Sequence, residues 1–270
     1  MSIYDHDLLS YLAASPSGDY LSIFSTLDLA GNTSVYNTNL WGGGGINANF
    51  TCVGHRVTPA STYYCKLVAI SKRHAIRTQH TAVTSDIGSE WAWIAADGTR
   101  TVRTVIDNID FVAGTGDGTT DFHVVYFDQD LPDSINLAPL NNDTSTTMTS
   151  QPVIRTNQFG QAATALWAGF SSNTITFSQP GSTPLSTYWV AWVTNDSGSP
   201  AFTLNGSQLI YLTSAVTATS GPATLGVLAS IVVACSTLDG RNDNTGYTPT
   251  LWNPADYRGA RTRALWGDAA

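Results

Sequence analysis

Glutamate and lysine are almost missing from this chain. Of its 20 acidic residues only Glu90 is a glutamate, and of its 12 basic residues only Lys66 and Lys72 are lysines. Both types are good helix formers, so their scarcity argues against a helix-rich protein. In their place stand Asp, Asn, Gly and Ser, which favour turns, and Thr, Val and aromatic residues, which favour strands. The expectation is an all-β fold. A length of 270 residues holds one large domain or two small ones, with a substantial core.

A formal charge of −8 narrows the partners. Nucleic acid and anionic lipid both call for clustered cations, so neither a nucleic acid nor a membrane is expected as a partner. The 3 cysteines, Cys52, Cys65 and Cys235, cannot form a disulfide framework in a chain this long. At most one bridge is open to them, between Cys52 and Cys65 on what read as neighbouring strands; otherwise they are buried small hydrophobes. The start, Met1 to Asp7, is acidic and lacks the basic-then-apolar order of a signal peptide. The longest apolar run, Ala223 to Leu238, is interrupted by Thr224, Gly226, Ser230 and Ser236, and does not reach membrane-spanning length.

Along the chain, residues 1–45 read as an N-terminal arm and 46–270 as the main domain, with the joint at Trp41-Gly42-Gly43-Gly44-Gly45. The arm carries a candidate short helix from Asp5 to Ala14, followed by a turn at 15–19. From Ile46 onward short apolar runs alternate with turn signals, as in a barrel or sandwich. The expected strands are 50–56, 63–70, 89–95, 101–106, 122–127, 165–170, 174–177, 188–193, 201–204 and 208–214. One helix is expected from Pro222 to Leu238, with Ser220 as cap and Asp239-Gly240 as stop. The basic tail Arg258, Arg261 and Arg263 reads as a solvated end or an anchor to an acidic partner.

Three separated stretches carry chemistry. They are Thr78-Gln79-His80-Thr81 after an apolar run, Asp121-Phe122-His123-Val124-Val125-Tyr126 leading to Leu131-Pro132, and Asn195-Asp196-Ser197-Gly198-Ser199-Pro200 before a strand. Together, over roughly residues 50–215, they resemble the signatures of the trypsin-like serine peptidases, in that family's order of His, Asp and Ser. The resemblance implies a double β-barrel, extended here by the arm and the C-terminal helix. It implies a serine endopeptidase acting on a polypeptide substrate, with no cofactor and no metal. Ser197 is then the nucleophile, His80 its base, and Asp121 the carboxylate that orients the imidazole and stabilises its protonated form. The backbone N–H groups of Asn195 and Ser197 form the oxyanion hole. Asn195 departs from the usual glycine, and Asn is among the non-glycine residues most tolerant of the required backbone. Thr81 replaces the cysteine usual after the histidine, so the disulfide common there is absent.

The rival residues have weaker contexts. His74 is expected at the surface, and His6, His55 and His123 match no motif, His123 lying along a strand away from the role of Asp121. Asp110, Asp117 and Asp128 compete with Asp121, but only Asp121 opens an alternating strand. Digestive members of the family pair the aspartate before the serine with a newly cut N-terminus. With an arm ahead of the domain, Asp196 is expected to be structural instead. Ala191, Thr213, Ser214 and Ala215 fall where the family lines its substrate pocket, which implies a small or apolar substrate side chain. Trypsin-like modules of some tailed-phage particles likewise lack signals and disulfide frameworks. That similarity implies the alternative reading, a structural or assembly component of a virion whose partners are other subunits and whose activity is weak or absent.

Asn195-Asp196-Ser197 is itself an Asn-x-Ser sequon, as are those at Asn32, Asn49, Asn142 and Asn205. A glycan on Asn195 would obstruct the serine. The chain is therefore expected not to mature through a glycosylating secretory pathway; a glycan on Asn195 of active material, seen by mass spectrometry, overturns this.

Overall fold

The computed structural model describes residues 18–41, 48–57, 65–79, 86–111, 121–142, 152–171, 174–181, 185–193, 196–205, 208–214, 220–222 and 224–252. It opens with a two-stranded ribbon, β1 (Phe24–Thr26) and β2 (Val35–Tyr36). A closed barrel follows, built from β3 (Val53–Arg56), β4 (Cys65–Ala69), β5 (His74–Arg77), β6 (Glu90–Ile94), β7 (Arg100–Asp110) and β8 (His123–Phe127) in the order β3-β4-β5-β8-β7-β6. The second half is an eight-stranded sheet. Its strands are β9 (Leu140–Asn141), β10 (Pro152–Thr156), β11 (Ala162–Ser171), β12 (Thr174–Ser178), β13 (Pro200–Asn205), β14 (Gln208–Ser214), β15 (Ser220–Pro222) and β16 (Leu251–Trp252), ordered β15-β12-β11-β10-β13-β14-β9-β16. This sheet curls into a half-barrel, and helix α1 (Thr224–Arg241) lies between its last two strands in sequence. The all-β architecture expected from composition is the one observed.

Strand alternation builds three cores. On β4, Leu67 and Ala69 point into the barrel with Trp91, Trp93, Val105, Val125 and Phe127. The intervening Val68 and Ile70 point outward, into a larger core shared with Phe122, Val124 and Tyr126 of the barrel and Ile154, Phe202, Leu204 and Tyr211 of the second sheet. Both faces of β8 are thus buried, which explains its nearly unbroken apolar run. Helix α1 caps the shared core with Val227, Ile231, Ala234, Cys235 and Leu238, at helical spacing. The third core fills the concave side of the second sheet with Val153, Trp167, Phe177, Leu212 and Trp252. Gly54 on β3 lies flat against the Trp93 ring, where an added Cβ would come within 2.8 Å of ring carbons. Only glycine fits there.

Local differences from the sequence reading have physical causes. Residues 188–193 form no strand: a 3-10 turn at Leu185–Tyr188 leads into irregular chain, whose Val193 N–H serves a side-chain carboxylate instead of a sheet. The helix begins at Thr224, because Ser220–Pro222 is held as a strand against β12. β5 and β10 were hidden by the buried polar residues they carry. In the first 45 residues, Trp41 Nε1 donates to the carbonyl of Ala162 at 2.6 Å and the Tyr36 hydroxyl to that of Ile94 at 2.7 Å, tying this segment to both sheets. The candidate helix at 5–14, the glycine run 42–45 and the basic tail lie outside the described residues. Cys52 and Cys235 are buried thiols in no disulfide, and burial pushes Cys52 up to about 12.

His74 is not at the surface; it is fully buried. It begins β5, flanked by β4 and β8, and α1 lies over it. Its Nδ1 meets the Ser71 hydroxyl at 2.8 Å, and its Nε2 lies 3.6 Å from Asp239 Oδ1 on α1. Burial pushes the imidazole down from 6.5 to about 4. It is neutral in the fold and protonates first in the unfolded chain. Its contribution to stability is therefore complete above pH 6.5, declines as pH falls through the window down to about 4, and levels off below. Burial pushes Asp239 the other way, upward. His74→Gln, which cannot take up the proton, is expected to flatten this part of the pH–stability curve in urea unfolding; an unchanged slope overturns the assignment.

Candidate active site at the seam between the sheets

The β5–β8 register pairs Arg77 with His123 and runs on past the strand ends, where the Gln79 N–H donates to the Asp121 carbonyl at 3.2 Å. The residue just before His80 is thereby tied to the main chain of Asp121. Asp121 is buried, and the ring of its neighbour Phe122 meets Tyr211 of β14 edge-on at 6.5 Å. Burial pushes the Tyr211 phenol up, and the nearby charge of Asp121 adds to that push. The Tyr211 hydroxyl shares a 2.5 Å hydrogen bond with Ser214 Oγ, and Ser214 pairs with Pro200 at the start of β13. A chain of contacts thus runs from Asp121 across the seam to the turn that carries Ser197. His80, Asn195 and Ala215 lie outside the described residues.

Ser197 sits half-buried in the turn ahead of β13. Gly198 follows at φ +88°, a conformation that favours glycine. Asp196 is buried beneath the turn. Its Oδ1 accepts from the Gln158 N–H at 3.1 Å and its Oδ2 from the Val193 N–H at 2.9 Å. Its carbonyl accepts from the Ser199 N–H at 3.0 Å. The guanidinium of Arg155 on β10 lies 3.7 Å from the centre of the Trp192 ring and 5.2 Å from that of Trp189. Burial brings Arg155 down to about 9, with the charge of Asp196 working against that fall. From the barrel, Lys66 Nζ donates to the Ser197 carbonyl. Among the pocket candidates Ala191 is exposed, while Thr213 and Ser214 are fully buried.

A second charged cluster anchors the chain just ahead of His80. Asp86 Oδ2 pairs with Arg77 Nη2 and lies 3.0 Å from His123 Nε2, whose Nδ1 pairs with Asp110. Against the upward push of its own burial, His123 and Arg77 hold Asp86 below the ordinary carboxylate range. His123 is committed to this cluster, and Asp110 with it. Motif reading missed Lys66, Arg155 and Asp86. The available signal was a cation set in the middle of an apolar strand, Cys65-Lys66-Leu67-Val68 and Val153-Ile154-Arg155. Among the described residues no group of His, Cys, Asp or Glu has the arrangement of a metal site.

Asp196 thus serves as the buried hub of the turn, as expected of a structural residue. Asp196→Asn turns one of its acceptor oxygens into a donor facing an N–H. The expected cost is about 1–3 kcal/mol of stability, read by urea unfolding; a change near zero overturns the hub role.

No protein-family model matches this chain, and no curated protein matches its sequence. Among solved structures it is similar to a human heparin binding protein, at a TM-score of 0.51 and 11% identity, over 74% of this chain and 95% of that one. At that identity the likeness is one of fold, and with the barrel and curled sheet described above it gives this chain the trypsin-like double-barrel architecture.

Proposed function

We propose that the protein is a serine endopeptidase that cleaves peptide bonds through Ser197, His80 and Asp121. The observation that carries this reading is the main-chain bond from Gln79 to buried Asp121, which joins the residue before the proposed base to the residue proposed as its carboxylate. The seam contacts from Asp121 to Ser214 and Pro200 support the same reading from the serine side.

In this reading His80 takes the Ser197 proton as the hydroxyl attacks the scissile carbonyl. Asp121 holds the imidazole in the tautomer that accepts that proton and stabilises the imidazolium formed. The backbone N–H groups of Asn195 and Ser197 receive the negative charge of the tetrahedral intermediate. His80 then protonates the leaving amine, and water resolves the acyl-enzyme by the same steps in reverse. Ala191 and Ala215 are residues of little bulk, and Thr213 and Ser214 are fully buried, so none of the four would present a large side chain to a substrate. A small or apolar substrate side chain fits such a pocket.

A serine-directed fluorophosphonate is expected to add to Ser197 of the folded protein, located by peptide mass spectrometry. Ser197→Ala should abolish the adduct and lower ester turnover by about 10⁴-fold or more. A folded wild type that forms no adduct overturns the reading. It would leave a trypsin-like scaffold without activity, the assembly component that the phage resemblance implies.

A further inference from the structure

Lys66 has no part in the triad chemistry, yet it occupies an expensive position. Its side chain is fully buried on β4. Burying an ammonium group costs several kcal/mol unless strong hydrogen bonds offset it. Leu67 and Ala69 on the same strand point into the barrel, and Val68 and Ile70 point out toward the second sheet; Lys66 sits where the β3–β4 register shifts, and it too reaches the second sheet. There its Nζ donates to the carbonyl oxygen of Ser197 itself. The link joins the two halves of the fold at the residue proposed as nucleophile.

We propose that Lys66 is a positioning residue, which holds the main chain of Ser197 from the opposite barrel and so sets the direction of its hydroxyl. The role rests on Ser197 being the nucleophile. The anchored oxygen belongs to the Ser197–Gly198 peptide, and Gly198 at φ +88° has no Cβ to restrict that peptide's rotation. A charge-assisted hydrogen bond supplies the restraint that the glycine does not. The turn is then held on two sides, by Asp196 from beneath and by Lys66 from the barrel. The second hold acts on the serine's own carbonyl.

The test compares wild type, Lys66→Met, Lys66→Gln and Lys66→Arg in ester turnover and fluorophosphonate labelling, after circular dichroism and cooperative unfolding show each to be folded. Lys66→Met fills the space without a donor. It is expected to lower kcat and the labelling rate by about 10–100-fold, the size of a small misplacement of a reacting group. KM should stay within about 2-fold, because the substrate does not touch this residue. Lys66→Arg, which keeps a charged donor, should recover much of the loss. Should Lys66→Met fail to fold, Lys66→Gln, a shorter neutral donor, should show a partial loss in kcat alone. A folded Met variant as fast as wild type overturns the proposal, as does a loss carried by KM. An unlabelled wild type overturns the serine nucleophile and Lys66 positioning together, whereas a labelled wild type matched in rate by the Met variant overturns Lys66 positioning alone.

Discussion

Phe122 and Tyr211 meet edge to face within the apolar core that the two halves of the molecule share, and the rest of the seam is built around that core. Phe122 follows Asp121 at the barrel's end, and Tyr211 reaches Ser214 beside the strand that opens after Ser197. Neither half alone contains both ends of this path. The shared apolar core behind it, with α1 packed across, therefore does more than stabilise: it fixes the distance between groups that sequence places far apart. A dense interior transmits such a constraint because it cannot deform gradually.

The fold class could be read from composition, since glutamate and lysine are scarce while turn- and strand-favouring residues abound, and the strand 208–214 coincides with β14. Two strands escaped reading because buried polar groups break their apolar pattern, His74 and Arg77 on β5 and Arg155 on β10, while β1, β2, β9, β15 and β16 are too short to show one. Residues 188–193 look like a strand because Trp189 and Trp192 are aromatic, but those rings face the Arg155 guanidinium. The motif residues Asp121 and Ser197 could be picked out because local sequence carries them. Asp86 could not, because its partners Arg77 and His123 come from β5 and β8; Lys66 stands out only as a cation in an apolar run, with its partner 131 residues away.

The described cysteines form no covalent staple, and buried charge does the locking. Arg77 with Asp86 and His123 sits on the barrel side of β5 and β8, Arg155 near Asp196 sits on the third-core side of β10, and Lys66 on Ser197 crosses between the two halves. Such pairs add little net stability, since desolvation offsets much of their attraction. Removing one partner is costly, however, and an alternative packing would strand a charge. Their value is in making one arrangement of the turn far better than its neighbours.

The position of β9 has a consequence for synthesis. All six barrel strands lie between Val53 and Phe127, so the barrel can close while the rest of the chain is still being made. The curled sheet cannot do the same. β9 pairs in parallel with both β14 and β16, and β16 arrives only at Leu251–Trp252. Until then one edge of β9 stays open and the concave core lacks the Trp252 ring. The nascent protein is thus a finished barrel attached to an unfinished sheet with an adhesive edge, and the window for misassembly lasts until Leu251–Trp252 has emerged and paired with β9.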